Sequence, residues 1–232
     1  MKKNKIKFVA LDEHTFIVKE NPTLASKLIP KWWKDIPKYT NGTNELQLNP
    51  FANVTVKQCA PTIDILSSGY MITLWADVVV TQKDGYPYAS WTTDTPVLST
   101  WSLDQSSFFE IPSGFNNLVF KLLNGWSIKT PKGWSCLFIH PIGYQNLPIR
   151  TIAGLVDTDI LDTDINCPFV IKEGFEGIIP KGTPIAQIIP IKRANWESEV
   201  VQPDGRYYFN MEKLGTKIYG FYASLREKKS FK

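Results

Sequence analysis

Only three cysteines and two histidines occur in 232 residues. Cys59, Cys136 and Cys167 form no C-x-x-C pair, which excludes a zinc knuckle or a thioredoxin-like redox site. Buried, reduced thiols are expected at Cys136, inside a predicted strand, and at Cys167, just ahead of Pro168. His14 and His140 lack the His-x-Asp spacing of a two-histidine, one-carboxylate iron site, so metal-dependent oxidation is not expected. There is no Gly-x-Ser-x-Gly elbow and no Walker-type phosphate loop. No apolar run approaches the roughly 18 residues of a membrane span. The basic start, M-K-K-N-K-I-K-F-V-A-L-D-E, holds no apolar stretch of signal-peptide length. These absences predict a protein that is neither secreted nor membrane-bound.

Aromatics, by contrast, are plentiful: 8 Trp, 13 Phe and 9 Tyr. Such a composition suits β packing and contact surfaces. Trp32, Trp33, Trp75, Trp91, Trp101, Trp126, Trp134 and Trp196 are read as core and subunit contacts ahead of a stacking platform for sugars or bases. The net charge of +4 is concentrated at the ends, in Lys2, Lys3, Lys5 and Lys7 and in Arg226, Lys228, Lys229 and Lys232. Solvated tails are the expectation there, with contact to nucleic acid as the alternative.

Hydrophobic periodicity divides the chain. Residues Lys5 to Val18 alternate weakly, as an opening strand would. Leu24, Leu28 and Trp32 fall at helical spacing, interrupted by Pro30, and Tyr39 to Pro50 is an Asn-rich loop. From Ile72 to Thr81 the pattern repeats every two residues for ten positions, followed by the hairpin signal Asp84-Gly85 and a return strand over Tyr86 to Thr92. Further strands are predicted at 118–122, 126–129, 135–139, 169–171 and 186–191. Leu214, Ile218, Phe221, Tyr222 and Leu225 predict a C-terminal amphipathic helix on a basic segment. The resulting layout is an N-terminal strand and helical arm over 1–50, an all-β barrel or jelly roll over 51–210, and a terminal helix over 211–232.

Between residues 130 and 193 three short strands are each introduced by a Gly turn. Asp157, Asp159, Asp162 and Asp164 lie between the second and third. That acidic run reads as a solvated turn, with a Ca²⁺ or Mg²⁺ site at these four carboxylates as the alternative. Ser68-Gly69-Tyr70, Pro131-Lys132-Gly133-Trp134, Gly154-Leu155-Val156-Asp157 and Lys181-Gly182-Thr183-Pro184-Ile185-Ala186-Gln187 together resemble four of the five motifs of the dUTPase and dCTP deaminase β-barrel superfamily. His140-Pro141-Ile142-Gly143 stands where that family carries Arg-Ser-Gly, and the Gly-rich fifth motif is absent. Over the full length, W-W-K, G-Y-M-I-T-L-W-A-D-V and G-F-E-G-I-I-P-K-G-T-P-I-A-Q-I-I-P-I-K-R resemble a family of uncharacterised proteins from tailed phages and other viruses.

These resemblances imply a dUTPase-like barrel forming a homo-oligomer, with a trimer as the family's arrangement. An Arg fork and backbone donors hold phosphate in that family, and His140 and Pro141 replace neither. The reading is therefore a non-enzymatic phage or viral structural module, such as a capsid decoration, among other virion proteins, in the virion or host cytoplasm. No catalytic residue, ligand or cofactor is assigned under it. The alternative is a magnesium-dependent nucleotide-binding or pyrophosphohydrolase relative. Asp157 would then act on the attacking water, Tyr70, Gly154, Asp157 and Gln187 would line the pocket, and Arg150 or Arg193 of a neighbouring subunit would supply the missing guanidinium.

Overall fold

The computed structural model describes residues 4–40, 53–202, 205–216, 222 and 225–231. They fall into two compact units, Met1–Leu28 with Gly69–Arg193, and Ile29–Ser68 with Ala194–Lys232. The described residues are mostly β, and their fourteen strands all belong to the first unit. In chain order these are β1 (Lys7–Ala10), β2 (Thr23–Leu24), β3 (Tyr70–Thr73), β4 (Val78–Lys83), β5 (Tyr86–Ser90), β6 (Leu98–Thr100) and β7 (Phe115–Leu122). They continue as β8 (Trp126–Lys129), β9 (Trp134–Ile139), β10 (Ile149–Thr151), β11 (Gly154–Val156), β12 (Cys167–Lys172), β13 (Gly177–Ile179) and β14 (Pro184–Lys192).

Four open sheets result, ordered β1-β8, β10-β12-β7-β6, β11-β9-β14-β3-β2 and β13-β4-β5, and every pairing is antiparallel. Buried strand residues supply the shared core. Val78 and Val80 of β4, Phe120 and Leu122 of β7, Phe169 and Ile171 of β12, and Ile185 and Ile188 of β14 all belong to one buried cluster. Phe120 and Phe169 are register partners whose rings stack with centroids 6.0 Å apart. Cys136 and Cys167 are buried thiols, and burial pushes Cys167 up to about 12. Trp33, Trp75 and Trp126 are buried, whereas Trp32 and Trp196 are exposed.

Several expectations need correction. The ten-residue strand from Ile72 is two strands, because Leu74, Trp75 and Ala76 are buried in succession and break the alternation. Leu74 N donates to Thr183 O at 2.8 Å and the Trp75 indole N–H to Leu123 O at 3.1 Å, so the chain leaves one sheet and enters another. Lys5 to Val18 is a strand followed by a helix, Glu13–Val18, whose start is fixed by Asp12 accepting from Thr15 N at 2.6 Å. Residues 7–24 are no appended arm, since β1 pairs with β8 and β2 with β3. The interrupted helix expected from Leu24 is present as a 3-10 turn, Ala25–Lys27, and a helix, Lys31–Asp35, on either side of Pro30.

The Asp84-Gly85 hairpin forms as read. Both residues are left-handed, at φ 52° and 81°, as a type I′ turn requires.

In the second unit, Trp33 on the helix Lys31–Asp35 lies under the Lys57 ammonium, 5.4 Å from its ring. That ammonium also donates to the carbonyls of Trp33 and Lys34. The C-terminal helix spans Gly205–Thr216, six residues ahead of its expected start, and residues 226–231 are not helical. Most of the Asn-rich loop, with Ile218 and Phe221, lies outside the described residues.

Gly69 carries a sharp constraint: its φ is +73° and an added Cβ would sit 1.9 Å from Ile188 O in β14. Gly69→Ala is expected to cost more than about 2 kcal/mol in urea denaturation. Gly182→Ala, at φ +84° with nothing within 4 Å, is expected to cost only about 1 kcal/mol.

Candidate functional site

Strand register brings the acidic run to the end of the five-stranded sheet. In β14 Lys192 opposes Trp134 of β9, so Arg193 emerges beside the Gly133 turn, where its N–H donates to Gly133 O at 2.8 Å. On the other side of β9, Val156 of β11 opposes Cys136, which sets Asp157 next to Ser135. The turn after β11 is closed by Ile160 N and Leu161 N donating to Asp157 O at 3.1 and 3.0 Å. Beneath it Thr158 is fully buried. Its hydroxyl lies 2.7 Å from that of Thr130 and donates to Cys136 Sγ at 3.4 Å.

One guanidinium ties this arrangement together. Arg193 Nη1 lies 3.0 Å from Asp157 Oδ1 and donates to Asp159 Oδ1 at 2.8 Å, while Nη2 donates to Asp159 Oδ2. Gly133 N–H completes Asp159 at 2.7 Å, and Ser135 Oγ donates to Asp157 Oδ1 at 2.7 Å. Asp159 has a side chain only 4 % exposed against 54 % for Asp157. The Arg193 fork, then the Gly133 N–H, hold the Asp159 carboxyl down to about 2. The same pairing raises Arg193 further above its ordinary value.

The remaining carboxylates diverge. Asp162 pairs with Lys129, and Asp164 accepts from Thr163 Oγ1 at 3.3 Å beside its bridge to Ser127. Among the described residues no group of three or more His, Cys, Asp or Glu side chains is placed to hold a metal ion. The four weighed metal candidates therefore separate into an arginine-bound pair and two independent residues.

The alternative ligand set shares the sheet without converging. Gly154, Phe138, Ile188 and Tyr70 are successive partners across β11, β9, β14 and β3. Three strand spacings, about 14 Å, thus separate Gly154 from Tyr70. Gln187 opposes Ile139, three residues along β9 from the Cys136 partner of Val156, or about 10 Å. It is fully buried, and its Oε1 accepts from Ile142 N at 3.0 Å. Burial raises the Tyr70 hydroxyl above its ordinary value.

At the position of the missing Arg-Ser-Gly, both nitrogens of His140 are engaged. Thr151 N donates to Nδ1 at 3.3 Å, so Nε2 carries the proton and donates to Tyr144 O at 3.0 Å. Burial pushes this imidazole below its usual range, which keeps it neutral at pH 7. Arg150 belongs to a different sheet, where it donates to Gln145 Oε1 at 3.1 Å and lies over the Phe115 ring. Sequence reading weighed Arg193 only as a donor to another subunit. Its partnership with the two aspartates follows from the β9–β14 register, which the motif spacing alone does not give.

No protein-family model matches the chain, and no curated protein matches it at a significant level.

Asp159 is ionised in the folded state down to about 2, against about 3.9 in an unfolded chain. Its lowered value means that the stabilisation is complete above about pH 4 and is lost as pH falls through about 2. Urea denaturation of the wild type and Asp159→Asn across this range should show the wild type more stable at neutral pH and the two converging towards pH 2.

Proposed function

We propose that the chain is a non-enzymatic structural module of a phage or virus, built on a degenerate dUTPase-like barrel and assembling as a homo-oligomer, with the family's trimer as its arrangement. The observation that carries this reading is the Arg193 fork on Asp157 and Asp159. In a nucleotide-hydrolysing relative Asp157 must be free to orient water beside magnesium, and an arginine must meet phosphate. Here that carboxylate is paired within its own chain, with Arg193 Nη1 3.0 Å from Asp157 Oδ1. The position of the phosphate-binding motif holds a neutral, doubly hydrogen-bonded His140.

The surface around that turn also favours assembly over catalysis. Leu155, Ile160 and Leu161 flank the aspartates as exposed apolar side chains. Ile178, Val79, Tyr88 and Tyr86 lie along β13, β4 and β5 as a second exposed apolar set. Exposed apolar residues gathered in this way mark contact surfaces in soluble proteins. No helix among the described residues is long and apolar enough to cross a membrane. Placement in the virion or host cytoplasm rests on the viral resemblance, with other virion proteins as the partners it implies.

Thermal melting against dUTP, dCTP and dTTP with magnesium tests this reading, with pyrophosphate release followed in the same samples. A ligand held at a hundredfold excess over its Kd adds about 2.7 kcal/mol to the folded state. The expected result is no shift and no pyrophosphate. A shift with turnover, abolished by Asp157→Asn, would replace the structural reading with the nucleotide one.

A further inference from the structure

We infer that the C-terminal segment of one copy docks on the Ala60–Leu66 helix of a second copy, with Arg226 and Lys229 received by Asp64. This rests on the self-assembling reading above and names the contact through which assembly occurs. Asp64 takes Arg226 Nη1 at 2.8 Å and Lys229 Nζ at 3.0 Å, and the same Nη1 donates to Ala60 O at 3.0 Å. The side chains of Arg226 and Asp64 are only 17 % and 18 % exposed. Charge-assisted bonds of this kind, partly withdrawn from water, pin a chain end with defined geometry.

What connects this end to the rest of the chain favours exchange. From Ala194 to Gln202 every residue is exposed, none lies in a helix or strand, and none makes a hydrogen bond among the described residues. Trp196 and Val200 on this stretch are almost wholly in water. A connector that makes no bonds of its own lets the Asp64 contacts form within one chain or between two with the same geometry. Exchange of an identical element is a low-cost route to assembly. Between copies, the paired connectors also gain a means of covering Trp196, Val200 and Val201, which the single chain leaves exposed.

The test refolds nitrogen-15-labelled and unlabelled chains together. Lys229 is then joined to Asp64 with a zero-length carbodiimide, and the linked peptides are weighed by mass spectrometry. Peptide pairs of mixed label are expected, in a particle whose mass is a multiple of 26.4 kDa. Same-label pairs alone in such a particle would overturn the exchange and leave self-assembly standing. A 26.4 kDa particle would overturn both. Charge reversal gives an independent check. Asp64→Arg and the double variant Arg226→Asp, Lys229→Asp carry mismatched contacts within each chain but matched ones between them. Each alone is expected to fall to single-chain mass, and an equimolar mixture to form particles with an even number of chains, since only alternation of the two variants matches every contact. Retention of wild-type mass by either variant, or no such particle on mixing, would count against the exchange.

Discussion

Burial of β14 on both faces is the constraint on which the first unit depends. Five consecutive residues, Pro184 to Ile188, are buried in the middle of the five-stranded sheet, flanked by β9 and β3. A strand so placed can carry a polar side chain only where a partner waits for it. Gln187 meets that demand through Ile142 N, which fixes the loop after β9. Gly69 allows β3 to begin against the Ile188 carbonyl, where any side chain would collide. At its far end the strand delivers Arg193 to the Gly133 turn, and the guanidinium gathers the aspartates.

This arrangement gives the motif-like residues structural partners within the chain. The Gly133, Asp157 and Gln187 positions retain structural roles: a backbone donor for Asp159, an acceptor for Ser135 and Arg193, and an acceptor for the Ile142 amide. None of these roles requires a nucleotide. The second unit contributes a separate set of charge-assisted contacts, centred on Asp64, that sequence periodicity does not report.

Much of the β architecture was legible because it follows from local chemistry. The Asp84-Gly85 turn, β8 at Trp126–Lys129 and the strands β7, β9 and β14 appear where turn residues and apolar runs put them. What escaped depended on distant partners. Leu74 to Ala76 read as strand but are buried in succession, because Thr183 and Leu123 accept from them across the fold. The three-residue strands β6, β10, β11 and β13 are too short to carry a period. The acidic run was visible, but its division between Arg193 and Lys129 was not, since long-range register decides which cation each aspartate meets. The proposed function rests on resemblance, which neither periodicity nor strand register supplies.

The central claim, that Arg193 is committed to Asp157 and Asp159 and unavailable for phosphate, is tested most directly by nitrogen-15 NMR of its guanidinium. Two resolved Nη environments with slowed rotation are expected, unchanged when magnesium and dUTP are added. A single averaged Nη signal, or a change on adding nucleotide, would contradict the account and return Asp157 to catalysis.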